Sequence, residues 1–209
     1  MEGASSNEYV AKNVENFKRV KEMVAETSGW TEEKNEGGAV LYSREVSGSP
    51  LRCYKVVSDI NATPKELAEL LYGFKFEEWN KMDSNVTAWR VVEEIDDKNK
   101  VIHQVNKLPW PLWARDVCII CSFVEENGTY YLVYVSVDHP QAPRDDSQYV
   151  RADLQLSGYV FAPSADGQGT TMTRVIHLDA AGNIPSSVIN SSAKSLHGLP
   201  AKIRAAAGK

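Results

Sequence analysis

Apolar positions along this chain follow two rhythms. Near the start, Val10, Val14, Phe17 and Val24 recur at helical spacing with Met23 beside them, which predicts one helix over roughly residues 7–27. Ser5 and Glu8 have the spacing of a capping box at its head, and Gly29 lies just past its end. Residues 39–46 (AVLYSREV) and 52–60 (RCYKVVSDI) read as two strands separated by the turn-rich SGSP. Thr63-Pro64-Lys65-Glu66 then signals a second helix, with Thr as N-cap, Pro at the first helical position and Glu66 closing the box. Leu67, Leu70 and Leu71 face inward until Gly73, and FKFEEWNKM follows as a short third helix.

From Asn85 to Asp179 the period drops to two. Segments 85–95, 100–106, 115–125, 129–138, 149–162 and 170–180 are rich in Val, Ile, Tyr, Thr and Trp. Turn clusters separate them, and Asn127-Gly128 between two alternating runs is a strong hairpin signal. Six strands joined this way predict an antiparallel meander. Val188, Ile189, Leu196 and Ile203 then line one side of a closing helix over residues 185–206, kinked at Pro200. A sheet with one apolar face needs a cover, and this helix is the obvious candidate. The result is a single α+β domain over residues 1–209, with an apolar cavity expected under the helix.

Composition sharpens the picture by exclusion. The 209 residues are 43% hydrophobic and 24% charged, which suits a globular chain rather than a disordered one. Lys plus Arg is 23 against 28 for Asp plus Glu, a net charge of −5, so no nucleic-acid partner is expected. No run reaches the roughly 18 apolar residues of a membrane-spanning helix. The polar opening has no signal-peptide core, so the sequons at Asn61, Asn85, Asn127 and Asn190 read as chance. Three Cys, an odd number, agree with a reducing, cytoplasmic compartment.

Candidate catalytic chemistry is sparse. Cys118 and Cys121 have C-x-x-C spacing, but within a strand they point to opposite faces and read as buried structural thiols. His103, His139, His177 and His197 form no clustered pair at zinc-ligand spacing. Asp138-His139 with Ser136 lacks the nucleophile elbow of a hydrolase, and no phosphate-cradling glycine loop follows a strand. His103 or His177 would be the general base of any enzyme built here, and the sequence pairs neither with an acid. The expectation is therefore a binding module, not an enzyme, with no metal and no cofactor. The alternative is a cyclase- or hydrolase-type enzyme on a similar scaffold, acting on a hydrophobic substrate.

Four segments in order, HQVNKLPWPLWARDV (103–117), VSVDHPQAP (135–143), YVRADLQLSGY (149–159) and HLDAAGNIPSSVIN (177–190), resemble a START domain. This is the lipid-transfer fold related to steroidogenic acute regulatory protein, and the nearest motifs are those of its ceramide and phosphatidylcholine transfer branch. The resemblance covers essentially the whole chain. It implies a helix-grip fold, a curved antiparallel sheet gripping a long C-terminal helix around a tunnel for one lipid. It also implies a closing loop, which in this chain would be residues 139–148.

Residue by residue, the resemblance makes Gln104 a head-group contact and Trp110 an aromatic at the tunnel rim that enters the membrane. Other polar positions of the ceramide branch differ here: Asn80 and Phe76 stand beside Trp79, Tyr134 replaces a strand Asn, and Arg174 replaces a late-strand Tyr. A basic strand residue of phospholipid and sterol relatives falls on Cys121. The expected lipid contacts are Gln104, Arg174, Tyr134 and Trp79. Arg174 is read as an inward cation, the alternative being an edge residue reaching for water, while Gln104 could instead face outward and Trp79 belong to the core. Trp110 and Trp113 are the expected membrane-docking residues, flanked by Lys107 and Arg115. The expected partners are a lipid ligand and, transiently, a membrane surface, with the protein a cytoplasmic monomer.

Overall fold

The structure, a computed structural model, describes residues 6–49, 51–182, 184, 188 and 195–209. Helix α1 (Ser6–Ala25) leads into strands β1 (Thr31–Glu36), β2 (Ala39–Glu45) and β3 (Arg52–Ile60). Two short helices follow, α2 (Pro64–Gly73) and α3 (Phe76–Met82). Strands β4 (Val86–Glu94), β5 (Asn99–Asn106), β6 (Arg115–Glu126), β7 (Thr129–Ser136), β8 (Val150–Arg151), β9 (Asp153–Pro163) and β10 (Thr170–Asp179) come next. Helix α4 (Leu199–Ala206) closes the chain.

Local chemistry explains the boundaries that the sequence marks most clearly. Thr63 caps α2 in a full capping box: Glu66 N–H donates to Thr63 Oγ1 (3.3 Å), and Thr63 N–H donates to Glu66 Oε2 (2.8 Å). The β6–β7 turn places Asn127 at φ +53° and Gly128 at φ +77°, a backbone that Asn-Gly tolerates better than other pairs. Strand β1 was not expected. Its residues, TEEKNE, are all exposed, and it forms because Gly37 and Gly38, both at positive φ, fold it back onto the edge of β2.

The sheet runs β1-β2-β3-β10-β9-β7-β6-β5-β4, so the early strands join the far end of the meander through β3 and β10. Pairing along this path is antiparallel. The expected strand 149–162 is broken. Val150–Arg151 pairs parallel to the start of β6, and β9 begins only after Ala152.

Side chains divide the sheet into two faces. The inner face carries Leu41, Val56, Ile102, Ile119, Leu132, Phe161 and Met172, packed against α2, α3 and α4. Ile203 of α4 is fully buried there, and Lys202 Nζ donates to Met82 O (2.5 Å). The closing helix thus meets the inner face as expected, although α4 starts at Leu199 after a turn at Gly198, with Pro200 in its first turn. The expected residues 185–187 and 189–194, and the Ser5 cap of α1, lie outside the described residues.

Helix α1 covers the outer face; of the predicted stripe Val10, Phe17, Met23 and Val24 pack there half-buried, but its most buried positions are others. Tyr9, Asn13, Asn16 and Val20 are buried, while Val14 is 51% exposed. The two asparagines bind the sheet: Asn13 Nδ2 donates to Ser122 Oγ (2.8 Å) and Asn16 Nδ2 to Tyr134 O (2.9 Å). An apolar-only pattern cannot see such a face. Gly158 permits the close approach, because a Cβ there would lie 2.7 Å from Val20 Cγ1.

Candidate functional site

Arg174 dominates the polar chemistry of the inner face. It stands on β10 between the core residues Met172 and Ile176, directly across from Tyr159 on β9. Only 8% of its surface is exposed. Its Nη1 donates to Ser157 Oγ (2.7 Å), Gly158 O (3.2 Å) and Val175 O (2.6 Å). The guanidinium lies 4.4 Å from the centre of the Tyr159 ring, a favourable cation–π distance. Arg174 is therefore an inward cation, not an edge residue reaching for water.

Tyr134 belongs to the same cluster. It pairs across strands with Ser157 and Cys121, and its ring centre lies 6.2 Å from that of Tyr159. Burial raises both phenols above their ordinary range, and in each case the nearby Arg174 charge opposes the rise. Both stay neutral donors at neutral pH. Ser157 and Tyr159 were missed in the sequence, because only the β9–β10 register reveals that they face Arg174.

Gln104 also lies on the inner face, half-buried beside Trp89 and Val117, with Nε2 donating to Asn106 Oδ1 (2.8 Å). It does not share a pocket with Arg174. Gln104 is opposite Val117, whereas the Arg174 row runs through Tyr159 and Leu132 to Phe123. Six residues along β6 amount to about 20 Å, and four strand spacings separate them sideways as well. One compact head group cannot touch both. Trp79 is half-buried on α3, edge-on to Phe74 with ring centres 5.4 Å apart, as part of the inner core. A groove of about 490 Å³ opens nearby between the α2–α3 turn and the β4–β5 edge, with Lys100 Nζ 3.9 Å over the Tyr72 ring.

The loop between β5 and β6 presents Trp110 and Trp113 at 93% and 55% exposure. Arg115 does not join them on the surface. It is 7% exposed and donates to Trp113 O (2.7 Å), Ala180 O (2.9 Å) and Ala181 O (3.0 Å). Instead of attracting lipid, it ties the tryptophan loop to the segment leaving β10. Lys107 remains exposed.

The expected closing loop, residues 139–148, begins on the outer face rather than over the inner one. Ala142 packs with Tyr9, Val101 and Cys118 on the outer side, and the His139 ring sits 5.7 Å from Tyr9. His139 Nε2 bonds Glu93 Oε2 (2.9 Å), and Ser136 Oγ accepts from Leu154 N–H (2.8 Å), so no triad forms. His103 does have an acid partner: its Nε2 lies 2.9 Å from Asp116 Oδ2. Arg151 binds the same carboxylate through Nε (3.0 Å) and Nη2 (2.8 Å). Burial would raise the Asp116 pKa, but these bonds outweigh it and hold the group low. His177 is buried beside Ser49 Oγ (3.2 Å), and burial lowers its pKa.

Cys118 and Cys121 face opposite sides of the sheet, and neither is in a disulfide. Among the described residues no His, Cys, Asp and Glu group has metal-binding geometry. No described helix is long and apolar enough to cross a membrane.

Comparison with known proteins bears on all of this. The START domain family profile matches residues 12–209. Rho GTPase-activating protein 7 of Rattus norvegicus is 28% identical over 172 residues, covering 81% of this chain but only 15% of the relative. START domain-containing protein 10 of Mus musculus is 25% identical over 173 residues, covering 80% of this chain and 57% of the relative. The chain thus spans a minor part of the Rho GTPase-activating relative. Human StAR-related lipid transfer protein 5 superposes with a TM-score of 0.85 at 19% identity, covering 98% of each chain, a likeness of fold.

Proposed function

Because this chain belongs to the START domain family, we propose that it holds one lipid between the inner sheet face and the terminal helix, and carries it between membranes or senses it. The observation that supports this most is the inner face itself. It is mainly aliphatic and aromatic across the sheet, with the Arg174–Tyr159 cluster enclosed within it. A lipid leaving a bilayer would expose its chains at ~0.8 kcal/mol per methylene, roughly 13 kcal/mol for sixteen of them. An apolar enclosure cancels most of that cost, so exchange with a membrane can be nearly thermoneutral. A few polar groups then select the cargo.

In this reading Arg174 and Tyr134 meet the polar end of the lipid, and Trp79 and Gln104 contact it elsewhere along its length. Trp110 and Trp113 dock transiently on the membrane, where an indole keeps its ring in apolar surroundings and its N–H wet. The protein works as a cytoplasmic monomer without a cofactor or nucleic-acid partner. An enzyme on this scaffold would need a His–acid pair on the inner face. The pairs His103–Asp116 and His139–Glu93 belong to the outer side.

Native mass spectrometry of protein purified from cells tests the reading, together with transfer of a fluorescent lipid between vesicles. The expected result is a co-purified lipid of definite mass and protein-dependent transfer. Protein that neither carries lipid nor accelerates transfer would overturn it.

A further inference from the structure

Resting on the lipid-carrier reading, we propose that the cargo is an acidic amphiphile whose carboxylate or phosphate group docks on the guanidinium of Arg174. The first argument is charge. Arg151, equally enclosed, has the Asp116 carboxylate as its counter-ion. Arg174 meets neutral acceptors, the Ser157 and Tyr159 hydroxyls and two carbonyls, and among the described residues no carboxylate pairs with it. Asp83, whose field reaches Tyr159, accepts from Asn85 N–H (2.9 Å). A buried charge without a counter-ion is unfavourable, so folding leaves a preformed site that an anion completes.

Donor geometry is the second argument. The bonds to Ser157, Gly158 and Val175 all leave from Nη1, so Nε and Nη2 are not committed to the backbone or to Ser157, although the guanidinium also bonds the Tyr159 hydroxyl. These two atoms carry the parallel N–H groups of the guanidinium fork, which match two oxygens of one carboxylate or phosphate. The Tyr159 ring supports the plane from one side, and Ser157 fixes the other end, so the fork is oriented before ligand arrives.

Surroundings are the third. Met172, Val56 and Leu132, all fully buried, lie on or beside the Arg174 row, so water competes weakly for the ion pair. The row also lies about 20 Å along β6 from the Gln104 row next to the tryptophan loop. The acidic group would therefore sit at the end remote from the docking loop, with the chains lying between. A neutral head group would leave the guanidinium unmatched, so the site discriminates by charge rather than by chain length.

The test compares three pyrene-labelled probes of one chain length: a long-chain carboxylic acid, the matching alcohol, and that alcohol's phosphate monoester. Wild-type protein should bind at least one anionic probe about tenfold or more tightly than the alcohol. Arg174→Gln should erase that gap by weakening only the anionic probes, and Arg174→Lys should keep part of it. Whichever anionic probe binds better identifies the acid as carboxylate or phosphate. Equal binding of all three to wild type would overturn the proposal, even if Arg174→Gln fails to fold. So would a gap that survives Arg174→Gln. Either result leaves the carrier reading intact, with Arg174 a clamp between β9 and β10. Failure to bind any probe, in protein that also carries no lipid, would overturn both readings.

Discussion

Arg115 donates from Nη2 to the carbonyl oxygen of Ala181 (3.0 Å), and Ala181 is held at φ +54°, a region that side chains rarely adopt. One guanidinium thus fixes the strained first step from β10 toward the terminal helix. The same side chain holds Trp113 O on the tryptophan loop, so that loop and the segment leaving β10 share one clamp. Arg115→Met should cost about 2–3 kcal/mol of stability, because three carbonyls lose a charged donor. Urea unfolding measures that loss. Amide hydrogen exchange should also quicken over residues 195–209, and unchanged exchange there would show that the clamp does not hold the helix.

Asp116 sits between His103 and Arg151 with its pKa below the ordinary carboxylate value of 3.8. A depressed folded pKa contributes stability that is present above the unfolded value and is lost as pH falls through the folded one. Wild type should hold this contribution above about pH 5 and lose it progressively below about pH 4. Asp116→Asn should be less stable at neutral pH by roughly 3 kcal/mol, since Arg151 loses its counter-ion. It should also show a flatter acid limb in urea titrations. An acid limb as steep as that of wild type would locate the acid sensitivity elsewhere.

Trp110 is 93% exposed, so truncating it removes almost no packing. Trp110→Ala should change stability by less than about 0.5 kcal/mol and leave binding of soluble probes unchanged. In the proposed reading, where this indole docks on the membrane, transfer between vesicles should slow severalfold. A transfer rate equal to wild type would remove this residue from the membrane contact.

Gly158 faces Val20, whose side chain is β-branched and fully buried. Gly158→Ala should destabilise by about 1–3 kcal/mol through overpacking. Adding Val20→Ala should restore part of the loss in a double-mutant cycle, and a purely additive result would show that the two sites do not press on each other.

The three thiols are buried, and burial pushes Cys53 and Cys118 up to about 11 and Cys121 up to about 12. Folded protein should therefore react with a thiol reagent at neutral pH only as fast as it opens. Rapid modification of any one cysteine in native buffer would contradict its placement.

Much of the fold was legible because it depends on neighbours in the chain. The α2 capping box, the Asn127-Gly128 turn and the period-two runs of β4 to β10 each rest on contacts within a few residues. Strand β1 was not legible: TEEKNE has no apolar alternation and pairs because β2 offers it an edge. The buried positions Asn13 and Asn16 of α1 escaped notice because their side chains satisfy the sheet rather than an apolar core.

By its own sequence this chain determined most of its strands, the marked turns and the amphipathic face of its closing segment, since those follow from local propensity and periodicity. Tertiary structure alone decided which of its polar residues meet. Arg174 faces Tyr159, Ser157 and Tyr134 because β9 lies between β7 and β10 in a particular register, and Gln104 is excluded because the same register sets it some 20 Å away along β6. Likewise Arg115 and Ala181 are far apart in the chain and adjacent in space. Cross-strand register is a property of the whole sheet, so it could not be read from any segment by itself.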